Sequence, residues 1–217
     1  MQGFPLQFFV RFFKNHGLLS ATKRPQWRVV SGGSRSYVTA LSTSFAERIR
    51  LNCPVQQVER DATGVTLHSA AGTERFDSVV FACHSDQALS LLAAPNQAER
   101  EILGALHYAD NDVVLHSDTR VLPNRRLAWA SWNYRLGGST RQPAALTYNM
   151  NILQGLQSDT TFCVSLNQNE AIDPSTILGR YRYAHPQYTL AGVQAQARWA
   201  ELQGVQHSYF CGAYWAN

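Results

Sequence analysis

Nowhere in the 217 residues is there a GxGxxG turn, a CxxC pair, an HxH or HExxH spacing, or a run of about 18 apolar residues. Without GxGxxG no strand, turn and helix can seat a dinucleotide pyrophosphate in the usual way. Cys53, Cys83, Cys163 and Cys211 stand singly and the seven histidines keep no ligand spacing, so no metal site is expected. Each cysteine lies in an apolar run, where a free thiol acts as a small buried hydrophobe. No apolar span or signal peptide is present, which predicts a cytoplasmic chain without stable membrane insertion. Charge is also scarce, at 16% of residues against about a quarter in globular proteins. The net charge of +4 is scattered, apart from Arg11 to Lys14, Lys23-Arg24 and Arg125-Arg126. No basic stripe forms, and a nucleic-acid partner is not expected.

What the chain does have is apolar and aromatic: 45% hydrophobic residues, with five Trp, nine Tyr and ten Phe. That is enough for one large domain or two small ones, with aromatic surface left to face a ligand, a partner or further polypeptide. Phe4, Phe8, Phe9, Phe12 and Phe13 recur at helical spacing over 4–16, and Gly17 closes that helix. Trp27 to Val30 reads as a short strand. Gly32-Gly33 then precedes a helix over 36–48 with Ser34 as its cap. This arrangement is either a plain tight turn or a helix N-terminus turned toward a ligand.

Strands are predicted over 53–60 and 64–68, joined by the Asp61-Ala-Thr-Gly64 hairpin, then over 72–76 and, fully apolar, 77–82. Helices follow over 84–92 and 96–105. Four strands near 107–117, 127–134, 143–150 and 160–166 predict an antiparallel sheet with turns at Pro123-Asn124, Gly137-Gly138 and Ser158-Asp159. Trp129, Trp132 and Tyr134 alternate with smaller residues, so at least two share a face. That face either lines an apolar cavity or packs against helices. A helix over 190–203 leads to a last strand that ends in Cys211-Gly212-Ala213.

The order and spacing of three blocks, Trp27 to Leu41, Cys53 through Phe76 to His84, and Tyr209 to Tyr214, resemble the flavin-containing amine oxidase and phytoene desaturase superfamily, in particular its bacterial FAD-binding amine oxidases. The fold class this implies is α/β (α+β): a partial FAD/NAD(P)-binding Rossmann-like domain lacking its N-terminal βαβ unit, plus an antiparallel-sheet substrate domain with helices. The corresponding division is 1–50 as a helical segment and Gly-Gly turn leading to the FAD domain, 51–92 as the second half of that domain, 93–205 as the substrate domain and 206–217 as the return strand. By the same resemblance Val55 would hold the adenine through its backbone. Ala82 and His84 would border the adenosine and pyrophosphate, His84 also reading as an ordinary helix-start residue. Gly212 and Ala213 would approach the pyrophosphate or ribityl chain, and Gly32, Gly33 and Ser34 the flavin ring. Trp129, Trp132, Tyr134 and Tyr214 would line the substrate side.

The family resemblance implies FAD and hydride transfer from an apolar amine or a lipid-like substrate. It names no catalytic residue. The scarcity of acidic residues favours a small apolar substrate over a polyamine. Both ends of the chain read as truncated, so FAD retention by these residues alone is open. The alternative is a cofactor-free remnant serving as a binding or structural module, or without activity. A separate polypeptide supplying the GxGxxG unit, or a homodimer, would cover the exposed apolar surface.

Overall fold

Asp61 turns the chain because its side chain, not the backbone alone, closes the loop: Oδ1 accepts the Thr63 N–H at 2.7 Å. Gly64 follows at φ +148°, where a Cβ would lie 2.5 Å from the Phe76 carbonyl oxygen. In the computed structural model, which describes residues 5–20, 22, 26, 28–135 and 145–215, this turn joins the first two of ten strands. In chain order the elements are α1 (Leu6–Asn15), α2 (Ser34–Ser42), β1 (Val55–Asp61), β2 (Gly64–Ser69), β3 (Gly72–Phe76), β4 (Val79–Phe81), α3 (Ser85–Leu91) and α4 (Gln97–Gly104). There follow β5 (His107–His116), β6 (Trp132–Arg135), β7 (Ala145–Asn149), α5 (Met150–Gln154), β8 (Cys163–Leu166), β9 (Ile177–Gln187), α6 (Leu190–Ala197) and β10 (Ser208–Phe210). They form two compact units, 1–108 with 186–217, and 109–185.

In the first unit β1, β2 and β3 make an antiparallel sheet, and β4 pairs in parallel with β10, Phe81 opposite Phe210. Val58, Phe81, Ala88, Ile102, Leu103, Ala195, Leu202 and Phe210 form one buried core. Thus α4 and α6, read from sequence within the 93–205 segment, pack with the strands on either side of it in the chain. A buried ion pair stitches the same pieces together. The Arg60 and Glu99 side chains are 3% and 1% exposed. The guanidinium donates twice to the Glu99 carboxylate, and also to the Ala94 carbonyl at 3.0 Å and Ser208 Oγ at 3.2 Å. Glu99 Oε2 in turn accepts the Asn96 N–H at 2.8 Å, closing the capping box of α4.

In the second unit the strand order is β6-β7-β8-β5-β9. Its centre is polar. Buried His116 lies 2.8 Å from Ser165 Oγ through Nε2 and accepts the Asp118 N–H at Nδ1 over 3.1 Å. That acceptance leaves the ring proton on Nε2, so the neutral imidazole donates to Ser165. Ser165 continues to Thr147 at 2.7 Å, which accepts from Gln168 Nε2 at 3.0 Å.

Several sequence expectations need correction. Residues 28–30 carry no strand, while Trp27, Phe4 and Gly137-Gly138 lie outside the described residues. Ser34 is the first helical residue rather than the cap; Gly33, at φ 78°, holds the cap position without a side-chain bond. The helix breaks after Ser42, where the Ser42 and Thr43 hydroxyls bond back to the Thr39 carbonyl and Phe45 leaves helical geometry. The 127–134 strand shortens to β6, and the helix over 190–203 becomes α6 followed by a separate turn at Trp199–Leu202. Only Cys163 is fully buried and Cys211 is exposed. Burial pushes the Cys163 thiol up to about 11.

Two outcomes follow. Glu99→Gln is expected to cost about 3–5 kcal/mol in urea unfolding, because it strands a buried guanidinium, while the double change Arg60→Met with Glu99→Met recovers most of that loss. His116 has its pKa lowered by burial, against the opposing pull of Asp118. The unfolded chain therefore takes up the proton first, and stability present above pH about 6.5 drains as pH falls below it. His116→Asn should remove this component from the pH dependence of the melting temperature.

Candidate functional site

Parallel pairing brings the C-terminal ends of β4 and β10 side by side, the Cys211 N–H donating to the Phe81 carbonyl at 3.0 Å. Ligands of α/β sheets gather at such ends. Beyond β4 run Ala82, Cys83 and His84; beyond β10 run Cys211, Gly212, Ala213 and Tyr214. The site residues expected on these two segments are thus neighbours in the fold. Gly212 stands at φ +152°, and a Cβ there would lie 2.4 Å from Tyr214 Cε1. Glycine is required by both backbone and ring.

An aromatic cluster surrounds the turn. His84 stacks on Tyr108 at 4.2 Å, and the Tyr108 hydroxyl accepts the Ser85 N–H at 3.1 Å, satisfying the first free amide of α3. The His84 N–H donates to Gln87 Oε1 at 3.2 Å, which supports its helix-start reading. Tyr108 meets Tyr214 edge-on at 6.4 Å, and Tyr214 lies 5.0 Å from Trp215. Gln196 Nε2 on α6 donates to the Tyr214 carbonyl at 2.6 Å, and Arg11 on α1 reaches Gln196 Oε1 at 3.3 Å. The Tyr214 hydroxyl and Trp215 Nε1 are buried and, apart from one another, meet no hydrogen-bond partner among the described residues. Burial drives the Tyr214 phenol well above its ordinary pKa, with Tyr108 and Cys83 adding to the shift. Burial also raises the Cys83 thiol.

The remaining expected residues lie elsewhere. Val55 opens β1 and packs on the core that holds Phe81 and Phe210. Gly32, Gly33 and Ser34 form an exposed turn, Gly33 N–H to Val30 carbonyl at 2.9 Å. Among the described residues no hydrogen bond or ring contact joins that turn to 82–84 or 211–214. Trp132 and Tyr134 share one face of β6 and are 44% and 52% exposed. Trp129 precedes the strand, its Nε1 donating to the Pro123 carbonyl at 2.8 Å. Sequence reasoning missed Tyr108, Gln196 and Arg11, which carry no motif and are recognisable only from their long-range contacts. Among the described residues no His, Cys, Asp and Glu side chains gather as a metal site, and no helix is long and apolar enough to cross a membrane.

The sequence profile of flavin containing amine oxidoreductases matches residues 8–149, about two-thirds of the chain. The chain belongs to this family. No curated protein matches it in sequence. Among solved structures it is similar to a CLA-producing fatty acid isomerase from P. acnes, at 12% identity and a TM-score of 0.55, covering 83% of this chain and 47% of that one. It is also similar to cyclohexylamine oxidase from Brevibacterium oxydans, at 14% identity and a TM-score of 0.53 over 85% and 48%. A reduced UDP-galactopyranose mutase gives 13% identity and a TM-score of 0.56 over 85% and 46%. These likenesses show the mixed helix-and-sheet fold, and the chain spans about half the length of those proteins.

Membership of the amine oxidoreductase family brings FAD as its cofactor. The residues at the paired strand ends fit such a group: Gly212 and Ala213 give the turn almost no side-chain bulk of its own, and the Tyr214 hydroxyl and Trp215 Nε1 are buried polar groups that reach no acceptor outside their own pair among the described residues. Removing a buried donor that lacks a partner relieves a desolvation cost. Tyr214→Phe is therefore expected to keep or raise the melting temperature of the flavin-free chain near neutral pH. The raised Tyr214 pKa also means that the unfolded chain gives up this proton first, so stability falls as pH rises past about 10, a fall Tyr214→Phe should not show.

Proposed function

We propose that this chain contributes the second half of the cofactor domain and the substrate-side sheet of an FAD-dependent oxidoreductase of the amine oxidase type. Its substrate is a small apolar amine or lipid-like molecule, oxidised by hydride loss. Bound flavin supplies the two-electron redox chemistry. The observation that carries this reading is the side-by-side ending of β4 and β10 at Gly212, beside two buried donors that reach no acceptor outside their own pair among the described residues.

In this reading Ala82, His84, Gly212 and Ala213 bring bare backbone to the cofactor, and Val55 contributes its backbone to the adenine end. Tyr214 and Trp215 offer their donors to the cofactor's acceptor atoms and exclude water from it. Trp132 and Tyr134, with Trp129 beside them in the chain, supply the apolar substrate side. Gly32, Gly33 and Ser34 belong to the flavin-ring side by family resemblance alone. Arg11 and Gln196 position the turn by fixing the Tyr214 carbonyl.

A second reading, a cofactor-free binding module, draws on one further observation: α2 and the turn after it, Ser34 to Arg48, bury none of their residues among the described ones. Without a GxGxxG unit the largest source of pyrophosphate affinity is absent from this sequence.

Absorbance of the purified chain with added FAD, followed through gel filtration, separates the two. The expected result is flavin that co-elutes and is weakened roughly tenfold by Trp215→Phe, which removes a single hydrogen-bond donor, and lost in Gly212→Ala. No co-elution supports the module instead, and co-elution indifferent to both substitutions would mean that flavin is held away from Gly212 and Trp215.

A further inference from the structure

The second unit carries a groove of about 550 Å³ with Arg120, Leu122, Trp132, Tyr134 and Arg135 in its lining and no carboxylate side chain among the described residues that line it. That volume falls within the range of small-molecule sites. The surrounding sequence has the same bias: from Thr119 to Ser158 there are Arg120, Arg125, Arg126, Arg135 and Arg141 and not one Asp or Glu. In a chain with 19 basic and 15 acidic residues, such a stretch is a local excess of positive charge.

The two lining arginines differ in what already holds them. Buried Asp118 accepts from Arg120 Nε at 2.9 Å and Nη2 at 2.7 Å, the Asp173 carboxylate lies 3.4 Å from the same Nη2, and Asp118 is itself fixed by the Asp173 N–H at 2.8 Å. The guanidinium is therefore anchored, yet its side chain is 66% exposed, and Nη1 makes no hydrogen bond among the described residues. Arg135 has no carboxylate partner among the described residues. Beside these cations stand Trp132 and Tyr134, both substantially exposed, and buried Leu122.

We infer that this groove binds a small anionic amphiphile, a carboxylate on an apolar body, with Arg135 and the outer edge of Arg120 taking the carboxylate and Trp132 and Tyr134 the apolar part. Arginine forks match carboxylates in geometry and charge. A cationic amine meets Arg135, which no carboxylate among the described residues compensates, and is disfavoured on the same grounds. The inference rests on the proposed role of Trp132 and Tyr134 on the substrate side, narrowing the substrate class from amine or lipid-like molecule to an apolar acid. Its test needs no flavin.

Titration calorimetry of the flavin-free chain with decanoate, decanol and decylamine, each below its micelle concentration, is the direct experiment. Decanoate is expected to bind at least roughly tenfold more tightly than decanol, a single charge-assisted contact sufficing for that ratio, and decylamine more weakly than either. Arg135→Ala should bring decanoate down to the level of decanol, Arg135→Lys should keep part of the difference, and Trp132→Ala should weaken decanoate and decanol alike. Equal binding of all three, preference for decylamine, no binding, or a decanoate preference that survives Arg135→Ala would each overturn the inference. Flavin retention at Gly212 is read separately, so failure here leaves that result standing.

Discussion

The buried Arg60–Glu99 pair is the constraint on which the first unit depends. A guanidinium removed from water must find acceptors for its donors. It finds them on the Ala94 carbonyl and Glu99, 34 and 39 residues further on, and on Ser208, 148 residues further on. One charge on β1 thereby ties the start of α4, the segment leading into it and the start of β10. Glu99 is used twice, as the counter-ion and as the residue that closes the α4 capping box. Loss of either partner leaves a charge where there is no water to receive it.

Fixing Ser208 matters because β10 is only three residues long and pairs with another three-residue strand, β4. So short a parallel pair has little stability of its own. Its neighbours supply the rest: Phe81 stacks on Phe210 at 5.0 Å, Trp199 Nε1 bonds the Phe210 carbonyl at 2.9 Å, and Gln203 Oε1 accepts the Phe210 N–H at 3.1 Å. The turn at Gly212 then leaves β10 in one direction, under the hydrogen bond from Gln196 to Tyr214. Core packing, a buried ion pair and a side-chain clasp thus converge on a few residues of backbone.

Much of this was legible in the sequence where local chemistry decides. The 61–64 hairpin announces itself through Asp61 and Gly64, the α4 start through Asn96 and Glu99, and the 77–82 strand through its apolar run. Legibility fails where long-range contacts decide. Strand β9 escaped because Arg180, Arg182, Gly179 and Pro186 break its apolar pattern, although Arg182 is held to Asp110 across the sheet at 2.6 Å. The partners of the Gly212 turn, Tyr108, Gln196 and Arg11, are 104, 16 and 201 positions away from it. No spacing rule joins them. The polar centre of the second unit was equally hidden, since His116, Thr147 and Ser165 come from three strands that only the sheet order makes adjacent.

Hydrogen–deuterium exchange of the chain with and without FAD tests the central claim most directly, because it reads the backbone that is proposed to meet the cofactor. Slowed exchange over 82–85 and 211–215, with the β1–β2 hairpin turn at 61–64 unchanged, is the expected result. Protection confined to other segments, or identical exchange with and without FAD at a concentration where flavin co-elutes with the protein, would contradict a cofactor site at the ends of β4 and β10.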